Sequence, residues 1–193
     1  MFGIRYWFVS LALLVVSGVT LAADTSRDLA ASAERKFHYL DQNAQREHPD
    51  SRPTVLTEAE INAYLASGKV KFPAGVESLR LVGTPGAVTA HCRVDFDKVR
   101  AGRSNTNPLL RLFSGVHDVD VQAQASGSNH QGRVHVDSVA IDGIVVPRFV
   151  LQLFVEKYVT PRYPGAGLDS LFALPDKIDT ATVGTHRLTV VQR

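Results

Sequence analysis

The sequence has only one cysteine, Cys92, so the chain cannot form an internal disulfide. A domain of this size must then draw its stability from a hydrophobic core. The 193 residues are 45% hydrophobic, which is enough for one domain with such a core. Cys92 lies between Ala90 and Val94 in an alternating pattern, and we interpret it as an inert, buried thiol.

An excess of charge of one sign is also absent. Arg5 is the only charged residue before Asp24, so residues 24–193 hold 20 basic and 19 acidic residues. Proteins that bind nucleic acid usually present a basic face to the phosphates. The balance of charge therefore predicts that the protein has no nucleic-acid partner.

Catalytic motifs are missing as well. The sequence has no GxSxG, HExxH or GxGxxG pattern and no phosphate-binding loop. Its aspartates and histidines alternate along predicted strands, where solvated polar side chains are expected. We therefore predict that the protein is not an enzyme and holds no cofactor or metal. The alternative, a hydrolase or metal enzyme, requires His91, His117 or His135 to converge with aspartates in a cleft.

The first 23 residues predict export. Arg5 precedes the apolar run Tyr6–Leu21, and the small residues of Thr20–Ala23 suit cleavage by signal peptidase after Ala22 or Ala23. An uncleaved anchor is the alternative, because Tyr6–Ala23 approaches the roughly 18-residue minimum of a membrane span. In both cases residues 24–193 form a single domain outside the cytoplasm, either periplasmic or secreted.

The pattern of residues 24–193 predicts an α+β domain. Apolar residues recur at spacings of three and four between Ser26 and Glu47, which indicates an amphipathic N-terminal helix. Alternation in Val88–Phe96 and in Val119–Ala125 is typical of an antiparallel sheet with one buried face. A change of phase after Val136 predicts a β-bulge near Asp137-Ser138. Turns are predicted at Ser126–Gly132 and, within a final hairpin, at Gly184-Thr185.

Two further segments are predicted to be helical. Thr57 and Glu60 have the spacing of a capping box, so we interpret the acids of this stretch as a helix start and not as an acid/base pair. Asn62 has no role in that interpretation. The second segment, Arg148–Val159, is apolar on almost every side, which predicts a helix that is buried or faces another apolar surface.

Three stretches together resemble a known group of proteins. They are LTEAEINAYL at Leu56–Leu65, IDGIVVPRFVLQLFVEKYVTPRYP at Ile141–Pro164 and LPDKIDTATVGTHRLTVVQ at Leu174–Gln192. Their order and the export signal are similar to those of small exported lipid-binding proteins of the LmeA-like kind, in the tubular lipid-binding (TULIP, BPI-like) superfamily. The resemblance implies a curved antiparallel β-sheet wrapped on a long apolar helix, with a groove for acyl chains.

The resemblance implies a phospholipid or fatty acyl ligand, with peripheral membrane contact, as the partner. Acyl chains would lie between the sheet and the helix of residues 148–159. A structural or protein-interaction module of the cell envelope, with a solid core and no ligand, is the alternative. The residues expected to line the groove are Phe113, Val121, Ile144, Val146, Phe149, Val150, Leu153 and Phe154.

Overall fold

We describe the protein from a computed structural model, which covers residues 5–100 and 113–193, with side chains described from residue 24 onward. The side chains of the predicted leader, residues 1–23, lie outside this description. The fold is α+β, with a nine-stranded antiparallel sheet that is not closed into a barrel. Among the described residues, no helix is long and apolar enough to cross a membrane.

The chain begins with one long helix, and three shorter helices then lie between groups of strands. The helices are α1 (Arg5–Ala44), α2 (Glu58–Ala66), α3 (Phe96–Arg100) and α4 (Arg148–Phe154), which continues as a π-helical segment at Val155–Val159. The strands are β1 (Thr54–Thr57), β2 (Val76–Thr84), β3 (Ala87–Asp95), β4 (Val116–Ser128), β5 (Gln131–Ile141), β6 (Ile144–Val145), β7 (Asp169–Ala173), β8 (Ile178–Gly184) and β9 (Arg187–Gln192).

Strand β4 joins the two parts of the sheet. One of its edges pairs with β3, and beyond the end of β3 the same edge pairs with β8 at Ser126 and Gly127. Its other edge pairs with β5, whose far edge carries β6 and β7. The strand order is therefore β1-β9-β8-β4-β3-β2, with β5, β6 and β7 as a branch from β4.

The predicted bulge is confirmed. Val136 and Ser138 of β5 lie opposite the adjacent residues Ala123 and Gln122 of β4, so Asp137 is the extra, unpaired residue. The strand that precedes β5 is longer than the sequence suggests. The predicted turn Ser126–Gly132 shrinks to Asn129-His130, whose positive φ angles of 51° and 60° suit a two-residue hairpin turn.

Helix α2 begins as its sequence predicts, and the structure assigns a role to Asn62. The Thr57 hydroxyl accepts a hydrogen bond from the Glu60 amide, and the Glu60 carboxylate accepts one from the Thr57 amide, which completes the capping box. The Asn62 amide donates to the Leu81 carbonyl and accepts from the Leu81 N–H, both at 2.8 Å. Helix α2 is thereby attached to the edge of β2.

The hydrophobic core has two parts. The smaller one packs α1 onto β1, α2 and β9, with Ala33, Leu40, Leu56 and Val190 buried. The larger one lies between the sheet and α4, and its buried residues are Val94, Phe96, Phe113, Val119, Ile141, Val146, Val150, Leu151, Phe154, Tyr158 and Leu168.

The segment Arg148–Val159 is helical, as predicted, but it does not form one long apolar α-helix. The α-helix spans only the seven residues Arg148–Phe154, and the hydrogen-bond pattern then widens, as in the 2.9 Å bond from the Thr160 amide to the Val155 carbonyl. Uninterrupted apolar sequence does not distinguish an α-helix from a π-helical segment, because both bury similar side chains. The long helix of the fold is α1, which contains most of the predicted amphipathic stretch.

A buried ion pair holds α1 against α2. The Lys36 ammonium lies 2.6 and 2.7 Å from the two carboxylate oxygens of Glu60, and the Ser32 hydroxyl donates to the same carboxylate at 2.6 Å. Burial by itself raises the pKa of Glu60, but the hydrogen bonds from Lys36, Ser32 and Thr57 outweigh it and lower the pKa to about 2. The carboxylate therefore stays charged and contributes to stability above its ordinary pKa of 4.5.

We predict that Glu60→Gln lowers the free energy of unfolding by about 2 kcal/mol at pH 7. This is below the roughly 3–5 kcal/mol for breaking a fully buried pair, because the Lys36 side chain retains 32% of its exposure. Urea unfolding should show the difference shrinking as the pH falls from 4.5 towards 2. Glu34→Gln, which breaks the surface pair of Glu34 with Lys69, is the control and should cost less than about 1 kcal/mol. Equal effects of the two variants would contradict the prediction.

Candidate functional site

Four aromatic side chains occupy the centre of the larger core, where the sequence predicts a groove. The rings of Phe113 and Phe154 stack with centroids 4.1 Å apart, and the ring of Phe96 meets them at 5.3 and 5.6 Å in edge-on geometry. The ring of Tyr158 lies 5.2 Å from that of Phe154. These are arrangements that aromatic pairs prefer. The cluster is therefore packed by its own side chains.

Six of the eight predicted lining residues come together in this core, and two do not. Ile144 and Phe149 are exposed, at 67% and 60%. They lie on the outside of β6 and α4, so they do not line the interior as expected. Their part in lipid binding stays a prediction. The six in the core are Phe113, Val146, Val150 and Phe154, which are buried, and Val121 and Leu153, which are half-buried against them.

Tyr158 is a residue that the sequence reasoning did not single out. It lies in the π-helical segment and is 1% exposed, and its hydroxyl has no hydrogen-bond partner within the part of the chain that the structure describes. A buried hydroxyl without a partner costs about 1–3 kcal/mol. Single-turn π-helical insertions are also frequent at functional sites. No signal in the sequence distinguishes its hydroxyl, because Glu156, Lys157 and Thr160 place other polar groups around it.

Exposed apolar side chains lie on the elements along the far edge of β5, and those that are adjacent in a strand point to opposite faces of the sheet. Both β6 and β7 pair with this edge, and α4 begins between them in the chain. We call these residues the outer-edge strip. Monomeric soluble proteins rarely expose large contiguous apolar surfaces unless the surface binds something. The strip consists of Ile144, Val145, Phe149, Leu171 and Phe172.

Charged side chains fix the start of α4 to this edge. The Arg148 guanidinium donates to the Val136 carbonyl at 2.8 Å and to the Asp169 carboxylate at 2.8 Å. His135 bonds to the same carboxylate, and this hydrogen bond is the main reason why the pKa of Asp169 is lowered. The result is a bridge between α4, β5 and β7 that holds both halves of the strip in place.

The histidines do not converge on a common cleft. His91 pairs with Asp120, His117 with Asp142 and His135 with Asp169, each on its own part of the sheet. Within residues 24–100 and 113–193, no group of three or more histidine, cysteine or acidic side chains could hold a metal ion. The arrangement that the metal-enzyme alternative requires is therefore not present in these residues.

A small apolar cavity lies away from this core, where α2 crosses the sheet. It measures about 90 Å³ and is bordered by Ile61, Leu81, Val88, Val183 and Leu188, among others. Small-molecule sites usually measure roughly 300–1,000 Å³. This cavity is thus too small for an acyl chain.

His117 forms the most constrained of the histidine pairs. Its Nδ1 lies 2.5 Å from the Asp142 carboxylate and its Nε2 lies 2.7 Å from the Ser114 carbonyl. Both partners are acceptors, so both bonds form only when the imidazole is doubly protonated. The hydrogen bond to Asp142, with that to Ser114, raises the pKa of His117, and the bond to His117 lowers the pKa of Asp142.

We predict that His117→Gln removes a pH-dependent part of the stability. The histidine contributes fully below its ordinary pKa of 6.5, and the contribution is lost as the pH rises through its raised pKa. Asp142 contributes above its ordinary pKa of 3.8. Thermal unfolding should therefore show the largest gap between wild type and variant from about pH 4 to pH 6.5. His91→Gln, at a pair that is about half exposed, should show a smaller gap. A gap that grows above pH 7 would contradict this prediction.

Comparison of the chain with protein-family models, curated proteins and solved structures finds no match. The likeness to lipid-binding proteins therefore rests on the three sequence stretches alone. Two of them lie at the sites described above, since Ile141–Pro164 contains β6, α4 and the π-helical segment, and Leu56–Leu65 contains all of α2 except its last residue. The family assignment remains a prediction.

Proposed function

We propose that the protein is an extracytoplasmic lipid-binding protein that holds acyl chains between α4 and the sheet and contacts a phospholipid surface through the outer-edge strip. The observation that carries this proposal is the two-sided character of α4. Phe149 faces solvent, whereas Val150, the next residue, and Phe154, less than two turns further on, are buried in the larger core. A single short helix thus links an exposed apolar surface to an apolar interior.

Helix α4 and the π-helical segment cover the larger core, and we call the two together the roof. Their short length supports a route for an acyl chain into the core. Helix α4 has seven residues, its N-cap Pro147 provides no side-chain hydrogen bond, and a π-helical segment follows directly. Helices this short gain little from their own hydrogen bonds and depend on packing. Displacement of α4 and the π-helical segment would expose the six buried or half-buried residues to a chain entering from the strip.

The sheet offers a wall for the same chain. The bulge at Asp137 lies on β5, close to the start of α4, since the Val136 carbonyl accepts from Arg148 and the Val139 carbonyl accepts from the Val146 amide. Bulges bend a sheet and increase its twist. A bend of the sheet at this point towards α4 is what the tubular lipid-binding resemblance requires, and the proposal assumes it.

A second candidate function has one observation in its favour. The aromatic rings contact one another directly, and Phe113 and Val146 are 2% and 3% exposed. A core packed this closely also suits a structural or interaction module of the cell envelope without a ligand, with the outer-edge strip covered by a protein.

Lipid extraction distinguishes the two candidates. The full chain, expressed with residues 1–23, is purified without detergent and extracted with organic solvent, and the extract is examined by mass spectrometry. We expect phospholipid or fatty acid in an amount comparable to that of the protein. Protein that is consistently free of lipid, and that takes up none when mixed with phospholipid vesicles, would rule out the lipid-binding function and favour the envelope module.

We further predict that Phe149→Asp weakens binding to phospholipid vesicles by at least about tenfold, because burial of an aromatic side chain contributes roughly 1.5–3 kcal/mol. The side chain is 60% exposed, so the substitution should leave the melting temperature nearly unchanged. Cosedimentation with vesicles measures the effect. Val55→Asp is the matched control, because Val55 is exposed on β1, far from the strip in the strand order. Equal binding by wild type and Phe149→Asp would contradict the role of the strip.

A further inference from the structure

The Tyr158 hydroxyl is a buried polar group that the fold leaves unsatisfied. The residue is 1% exposed, and none of the residues that the structure describes supplies a hydrogen-bond partner to this oxygen. Its ring packs against Phe154 at 5.2 Å, so the ring has a structural role. The hydroxyl has none, because phenylalanine would fill the same place without the cost of an unpaired polar group.

The position of Tyr158 links this group to the roof over the core. It lies in the π-helical segment, which follows α4 without a break, and Leu168 and Phe154 belong to the same buried cluster. When the roof moves to admit a chain, the hydroxyl is the polar atom that this segment brings to the apolar interior. A bound molecule can then supply the acceptor that residues 24–100 and 113–193 do not.

The surroundings restrict the chemistry of that acceptor. Tyr158 belongs to a buried cluster of apolar side chains, and the Lys157 ammonium lies 5.5 Å from the centroid of the Tyr158 ring without bonding to the hydroxyl. A carboxylate in such a place would carry a large desolvation cost. A neutral carbonyl oxygen on an apolar chain satisfies the hydroxyl without that cost.

We propose that Tyr158 is the polar anchor of the lipid site and donates a hydrogen bond to the ester carbonyl of an acyl glycerolipid whose chain lies beneath α4. This inference rests on the proposed lipid-binding function and adds to it the class of ligand and the residue that recognises it. The proposal predicts that the protein binds esters more tightly than the matching ethers, and it assigns this preference to one group, the Tyr158 hydroxyl.

The test compares two probes that differ only in the carbonyl, 1-decanoylglycerol and its ether analogue 1-O-decylglycerol, by titration calorimetry with the full chain. Wild type should bind the ester about tenfold more tightly than the ether, as expected for one additional buried hydrogen bond. Tyr158→Phe should bind both probes with the affinity of wild type for the ether. Without ligand, its melting temperature should rise by about 2–4 °C, because the unpaired hydroxyl is gone.

Tyr39→Phe is the control, because the Tyr39 hydroxyl already has a partner, the Asp50 carboxylate at 3.4 Å, and lies on α1. This variant should keep the preference for the ester and should gain no stability. If wild type binds both probes equally, or if Tyr158→Phe keeps the preference, the role of Tyr158 is overturned while the lipid-binding function stands. If wild type binds neither probe and carries no lipid, the proposed function fails as well.

Discussion

The backbone N–H and C=O groups at the free edge of β2 require hydrogen-bond partners. Helix α2 supplies partners for several of them, and its position in turn determines where α1 packs. An open sheet leaves such groups exposed at its edges, where they invite pairing with other chains. Here Asn62 satisfies both backbone groups of Leu81, and the Glu58 carboxylate accepts from the Gly83 amide at 2.9 Å. Helix α2 therefore takes the place of a further strand.

The same helix connects this edge to the other parts of the fold. The Glu58 amide donates to the His186 carbonyl at 2.8 Å, which ties the start of α2 to the turn between β8 and β9. Glu60, two residues later, holds Lys36 of α1. Every buried charged or amide group described at this end has partners, including Asn43 and Gln192, which bond to each other at 2.8 Å.

The opposite end differs. Among the described residues, none pairs with the Tyr158 hydroxyl of the π-helical segment, and the exposed outer-edge strip lies nearby. Natural proteins depart from the rules of stable folding mainly at functional sites, which makes that end the better candidate.

The sequence allows the local parts of this fold to be predicted, and the reasons are physical. Thr57 and Glu60 are three residues apart, so their capping box depends on no distant residue and could be predicted. The bulge at Asp137 could be predicted for the same reason, because a change of phase in the alternating pattern reveals it. The role of Asn62 could not, because its partner Leu81 lies nineteen residues away on a strand whose edge is visible only after folding.

The candidate site was predictable only in part. An apolar stretch such as Arg148–Val159 indicates burial but not the number of sides that are buried. The buried positions of Val150 and Phe154 could therefore be predicted, whereas the exposed position of Phe149 could not. The exposed Leu171 and Phe172 had no distinguishing pattern, because two consecutive apolar residues point to opposite faces of a strand wherever they occur.

The contact that joins Asn43 to Gln192 spans 149 residues and also has an effect on the order of assembly. The hairpins β2–β3 and β4–β5 close over short turns, whereas the contact of α1 with β9 forms only after the end of the chain has been made, since closing a long loop is slower. The apolar side of α1, with Ala33 and Leu40, therefore has its partners in β1 and α2 early and gains Val190 of β9 last.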